Sequence, residues 1–409
     1  MHAYFFSLHF KCQYSVQMML RSLMVAVVVL LLASCRPNAS SPAAPSDAGP
    51  AQQYKAFSKQ LEKSVNERDP TFINSHFSLD TLIRHVVKAV DAPREYSEGF
   101  TEGIKNNLDV GQKIIGSLGV DGNYKFLQLR NMPQKPTALF RLNTEESVNY
   151  HEIYLKNQAD SIIIDDFYIY EGGMSFSNTL KRVYFASLSE AIKDISFEKT
   201  SPFDKGFIEN LDKIDEIAAL VENNKHREAL KVLQNLPEIV RTDKMIMVLQ
   251  LKIAKECGQE AYLAAIDDFR NHYPSDPVLE FMLLENALEK KQADKILAAI
   301  DQLDARLDGD PYLDVLRADV ATKQKNYALA EDLLSKAKNA EPDNEGIYWH
   351  LVSLYLTQKE YEKTIAVFET IKQNFGFEPY ERLPRHEFSD FWRSKAYKDY
   401  ANKQISNPQ

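Results

Sequence analysis

Between residues 276 and 377 the chain repeats itself every 34 residues. "DPVLEFMLLENALEKKQADKILAAIDQLDARLDG" from Asp276 aligns with "DPYLDVLRADVATKQKNYALAEDLLSKAKNAEPD" from Asp310, and "NEGIYWHLVSLYLTQKEYEKTIAVFETIKQNFGF" follows from Asn344. Asp276-Pro277 and Asp310-Pro311 stand one period apart, as do Tyr327 and Tyr361, and Leu334 and Phe368. A period of this length means that each unit is one supersecondary piece unable to bury its apolar face alone, so the units must stack. Two helices per unit are expected from apolar residues at three- and four-residue steps, with Pro342 closing the second because proline cannot continue the backbone bonds. Less regular units precede, "FIENLDKIDEIAALVENNKHREALKVLQNLPEIVR" and "TDKMIMVLQLKIAKECGQEAYLAAIDDFRNHYPS", giving about four units over 201–375.

The best unit has small residues where two helices touch and larger ones between them: Ala318, Tyr327, Ala330, Leu334 and Ala337, then Pro342. At these positions the region resembles the tetratricopeptide repeat, a helix-turn-helix unit. The resemblance implies an all-α superhelix whose concave face, built mainly from the first helices, takes extended peptides or helices. The lining expected on that basis includes Lys244, Met247, Leu251, Phe281, Glu285, Tyr312, Asp319, Trp349 and Ser353. One version of the family clamps a terminal carboxylate with lysine and asparagine; Met247 and Leu251 stand at the candidate clamp positions, so that specificity is not expected. Trp349 reads more readily as packing than as an anchor. The segment 376–409, with Phe388, Phe391, Trp392 and Tyr397, is expected to cover the exposed end of the last repeat.

Residues 52–200 have a different texture. "YKAFSKQLEKSVNERD", "SLDTLIRHVVKAV" with Ser78 as N-cap, and "REYSEGFTEGIKNNLDVGQKIIGSL" read as helices. "YKFLQLRN", "TALFRLN", "VNYHEIYLKN" and "SIIIDDFYIYEGG" then read as strands, and an amphipathic segment leads out. Helices followed by consecutive antiparallel strands define an α+β domain. The order resembles the cone-shaped fold of the ketosteroid isomerase and nuclear-transport-factor superfamily, which hosts both enzymes and inert binding modules and so does not decide function. His151 shares a strand face with Asn149 and Ile153; Asp166 is expected beside Ile164 and Tyr168, with Asp165 on the opposite side. An inward His151 and Asp166 are the weak candidates for an acid/base pair, against a structural reading of the same residues. No HExxH, GxSxG, Walker or paired-glycine motif occurs.

The N-terminus has the order of a secretory signal: Arg21, an apolar stretch, then small residues. Leu32-Ala33-Ser34-Cys35 resembles the lipobox of bacterial lipoproteins, which implies lipidation of Cys35 and cleavage just before it. Residues 1–34 are then the signal, with 1–17 fitting badly as its start, and 35–51 is a Pro-, Ser- and Ala-rich tether. Arg36 after the cysteine leans toward the outer membrane, with the protein facing the periplasm.

With 58 acidic against 49 basic residues, a net charge of −9 and no Lys/Arg cluster, nucleic-acid binding is not expected. Cys12, Cys35 and Cys257 form no CxxC or His-spaced pattern, so neither a metal site nor a cofactor is expected. The whole chain resembles the tetratricopeptide-repeat lipoproteins of Gram-negative bacteria. It reads as a non-enzymatic adaptor, bound to the membrane by its lipid and to another envelope protein by its repeats. Two alternatives stand beside this reading: an enzyme or small-ligand binder working from the α+β pocket, and support of secretion or surface assembly.

Overall fold

The computed structural model describes residues 49–406, apart from 91, 121, 145–147, 159–160, 192–199 and 275. The leader, Cys12, Cys35 and nearly all of the expected tether lie outside the described residues. Two compact units divide between Leu279 and Glu280.

The first unit opens with helices α1 (Pro50–Asn66), α2 (Thr71–His76), α3 (Leu79–Val87), α4 (Arg94–Asn107) and α5 (Val110–Leu118). On α1 the buried Tyr54, Phe57, Leu61 and Val65 follow the three- and four-residue steps of one helix face. The single helix expected from Arg94 to Leu118 is two. Leu108 turns extended, and the Asp109 carboxylate caps α5 by accepting the Gln112 N–H at 2.7 Å. Ser78 does precede α3, but its side chain makes no capping bond; its backbone N–H donates to Ile164 O and ties the helix start to the sheet.

Among the described residues the sheet has five strands in sequential order: β1 (Asn123–Arg130), β2 (Thr137–Asn143), β3 (Val148–Gln158), β4 (Ser161–Ile169) and β5 (Met174–Ser175), each antiparallel to the next. Two bulges interrupt the pleat. Leu127 is extra in β1, where Phe126 faces Phe140 but Gln128 faces Leu139, and Asp165 is extra in β4, where Asp166 faces Tyr154 but Ile164 faces Leu155. An extra residue exchanges the two faces for everything beyond it. One face of the sheet therefore carries Tyr124, Phe126, Phe140, His151, Ile153, Leu155, Ile164 and Phe167 into the core. Helix α6 (Phe176–Ala191) adds Leu180, Tyr184, Phe185 and Leu188 to the same core. Burial of side chains this size contributes roughly 1.5–3 kcal/mol each before the entropy of ordering them is counted.

The helices α7 (Pro202–Glu209), α8 (Leu211–Glu222), α9 (His226–Gln234), α10 (Glu238–Arg241), α11 (Lys244–Cys257) and α12 (Gln259–His272) belong to this unit as well, so the border expected near residue 200 falls inside it. Buried charge explains why. Asp204, only 4% exposed, accepts from Lys181 Nζ at 2.5 Å, Ser201 Oγ at 2.6 Å and Arg182 at 3.2 Å. The Arg182 guanidinium also reaches Asp243 at 3.6 Å and lies over the rings of Phe203 and Phe207. Helix α11 is buried on every side through its first half: Met245 through Leu251 are all buried and all apolar but Gln250, the mark of a core helix.

Helix α13 (Pro277–Glu289) crosses the division and is followed by α14 (Ala293–Leu307), α15 (Pro311–Lys323), α16 (Tyr327–Ala340), α17 (Glu345–Gln358) and α18 (Tyr361–Phe375). Helix starts at Pro277, Pro311 and Glu345, and at Ala293, Tyr327 and Tyr361, each fall 34 residues after the last. The Asp-Pro repeat has a local cause at Asp310-Pro311: the Asp310 carboxylate accepts the Tyr312 N–H at 3.0 Å as N-cap, and Pro311 takes the first helical position, where its missing donor costs nothing. Ala318, Ala330 and Ala337 are fully buried in one cluster with Leu334 and Leu351, where small side chains let the helices approach. After a 3₁₀ turn at Pro379–Arg382, α19 (Ser389–Arg393) and α20 (Lys395–Ser406) set Phe391 and Tyr400 against Phe368 and Ile371 of α18.

Candidate functional site

The structure separates the two residues that sequence parity would pair. His151 lies on the core face, 4% exposed, opposite Phe140, with its Nδ1 3.1 Å from the Tyr124 hydroxyl. Burial pulls its pKa down from 6.5 to about 4, opposed by the charge of Glu171, so the imidazole is neutral at physiological pH. Asp166 is on the opposite face, beside Tyr154. The expected partnership of Asp166 with Ile164 fails for the same reason: the bulge at Asp165 lies between them and sends Ile164 into the core. His151 and Asp166 are not an acid/base pair.

The face that carries Asp166 forms one wall of a cleft of about 470 Å³. Glu152, Tyr154, Asp166 and Tyr168 come from β3 and β4; Asp165 joins them because the bulge turns it to the same side. Ser175 comes from β5, Asn178 and Arg182 from the first two turns of α6, Asp243 to Met245 from the start of α11, and Asp276 and Pro277 from the start of α13. Lys135 reaches in from the β1–β2 loop.

Three helix N-termini thus converge here, and each has an aspartate. Asp166 accepts the Ser177 hydroxyl at 2.5 Å and its N–H at 3.1 Å; Asp243 accepts the Met245 N–H and Asp276 the Val278 N–H, both at 3.0 Å. A carboxylate at the positive end of a helix is stabilising. Asp243 is nevertheless pushed above the usual carboxylate range, because burial outweighs its attraction to Arg182. Arg182 is shifted down by burial against Asp243 and Asp204, as expected when an ion pair loses solvent on both sides.

The aromatic part of the wall is loaded with charge. The Lys135 ammonium sits 3.6 Å from the centroid of the Tyr154 ring, and that of Lys244 sits 4.4 Å from Tyr168 while pairing with Asp276 at 2.8 Å. Glu152 accepts the Tyr170 hydroxyl at 3.0 Å and pairs with Arg130 at 3.5 Å. Burial, then Glu152 and Asp166, push the Tyr154 hydroxyl well up; burial and then Asp276 do the same to Tyr168. Both phenols stay protonated in the physiological range. Among the described residues no group of three His, Cys, Asp or Glu side chains is placed to hold a metal ion.

The residues expected to line a helical groove fare unequally. Met247, Leu251 and Phe281 are buried and present no surface, because Met247 and Leu251 belong to the core helix α11 and Phe281 is fully enclosed. Lys244 is held by Asp276 and Tyr168 in the cleft. Glu285, Tyr312, Asp319, Trp349 and Ser353 are half-buried. Trp349 is a packing residue: its N–H donates to Glu345 at 2.8 Å and its ring stacks on Phe377. Asp319 is bonded to His350 at 2.9 Å.

Sequence reading missed Lys135, Tyr154, Arg182, Asp243 and Asp276 as neighbours. Two of them carried a readable signal, since Asp243 and Asp276 each stand directly before a helix in the N-cap position. No protein-family model, curated protein or solved structure matches the chain. No described helix is long and apolar enough to cross a membrane.

Proposed function

We propose that the chain is a non-catalytic binding protein, attached to a bacterial outer membrane through a lipid on Cys35 and facing the periplasm. In this reading its helix pairs are tetratricopeptide repeats that engage another envelope protein. The observation that carries the reading is the helix register: starts 34 residues apart in both helix series, with fully buried alanines at the positions where paired helices touch. In stacked pairs of this kind the first helices line one concave surface, and α15 and α17 would supply it here. Tyr312 and Asp319 of α15 and Ser353 of α17 keep part of their side chains open there. Separation of His151 from Asp166 favours binding over catalysis in the α+β domain, whose helices-then-sheet order suits the cone-shaped fold, a host of both enzymes and inert binding modules.

The test is site-specific photo-cross-linking in cells with the full chain. A probe at Asp319 or Tyr312 should yield a discrete adduct that a probe at the exposed Arg94 of α4 does not. The same adducts from all three positions, or none from Asp319 and Tyr312, would reject the reading.

A further inference from the structure

Outside the repeats, we infer that the cleft between the β3–β4 face and the starts of α6, α11 and α13 is a binding site for a small organic cation carrying amine or guanidinium groups. It is independent of the repeat surface, so either reading stands if the other fails.

Three observations converge. First, five carboxylates line the cleft against three cations, and the cations are engaged: Arg182 by Asp204 and Asp243, Lys244 by Asp276, Lys135 by the Tyr154 ring. Asp165 is exposed and has no partner among the described residues; Asp166 is held only by hydroxyl and amide donors, with no cation beside it. Second, the Tyr154 ring already holds an ammonium. Lys135 is an exposed, flexible side chain without a carboxylate partner among the described residues, and its nitrogen rests 3.6 Å from the ring centroid. It occupies the position a ligand nitrogen would take, over an aromatic face flanked by acids.

Third, Tyr168 forms part of the wall, is 8% exposed, and its hydroxyl has no hydrogen-bond partner among the described residues. A buried hydroxyl left unpaired is destabilising, and a ligand N–H that reached it from the cleft would satisfy it. A bare metal ion fits less well, because no group of three acids is placed to hold one among the described residues. A volume of about 470 Å³ suits a polyamine or an arginine-sized molecule.

Isothermal titration of the full chain, purified in detergent, with spermidine, arginine and putrescine, against citrate, phosphate and glucose, tests this. At least one amine should bind and the anions and sugar should not. Asp165→Asn removes a charge that has no partner among the described residues, and should weaken binding about tenfold if a charged hydrogen bond is lost. Lys135→Ala removes the resident ammonium and should tighten binding roughly two- to fivefold, the worth of an exposed cation–π contact. Circular dichroism on both variants checks that the fold is intact. Absence of amine binding at millimolar concentration, binding of citrate or phosphate instead, or amine binding unchanged in both variants would overturn the assignment.

Discussion

Replacing His151 by glutamine removes a buried imidazole whose affinity for a proton the fold holds far below its ordinary value. The pKa drops from 6.5 to about 4 because the ring is buried, with Glu171 opposing. Between those two values the unfolded chain carries a proton that the native state refuses. Stability from this group is therefore complete above the unfolded pKa and is lost as pH falls toward about 4. The gap corresponds to about 2–3 kcal/mol lost between roughly pH 7 and pH 4.5. Urea unfolding followed by circular dichroism at those two pH values, on the wild type and His151→Gln, isolates the contribution, since every other acid titrates in both proteins. Glutamine leaves the Tyr124 hydroxyl, now 3.1 Å from Nδ1, a polar partner of similar reach. The variant should be less stable at neutral pH yet lose about 2–3 kcal/mol less on acidification. An unchanged pH dependence, or an NMR titration of His151 near its ordinary value, would refute the core placement and return the imidazole to the candidates for catalysis.

Asp204→Asn should cost about 2–4 kcal/mol by leaving Arg182 and Lys181 short of a buried counter-charge, read as a lower urea midpoint. Amide exchange should quicken in α6 and α7 together; a loss below about 0.5 kcal/mol would show that this cluster does not hold the post-200 helices to the sheet. Gly173→Ala should destabilise by about 1–3 kcal/mol, because its φ of +66° suits glycine and an added Cβ would lie 2.6 Å from Val248 Cγ2. The double variant with Val248→Ala should cost less than the sum of the two single changes, and strict additivity would remove the contact as the cause. Cys35→Ser should abolish labelling by a clickable palmitate and release the protein from the membrane fraction; continued labelling would defeat the lipobox reading.

Much of the architecture was legible along the chain because it rests on local chemistry. A 34-residue period, aspartate before proline and alanines at fixed offsets specify helix starts and close helix contacts without reference to anything distant. The four long strands were legible for the same reason, as runs of β-branched and aromatic residues between turns. Even the Leu127 bulge left a trace, in the change of parity between Phe126 and Leu129.

Tertiary structure decided the rest. Parity assumes an unbroken pleat, and one extra residue at Asp165 turned that aspartate to the same side as Asp166 while sending Ile164 into the core. The pattern of α11 fits a repeat helix, yet its place in the core buries Met247 and Leu251 and takes them off any open surface. The cleft joins Lys135, Tyr154, Asp166, Arg182, Asp243 and Asp276 from five separate elements and a loop. No sequence period links those positions, because only the packing of three helix starts against one sheet face makes them neighbours.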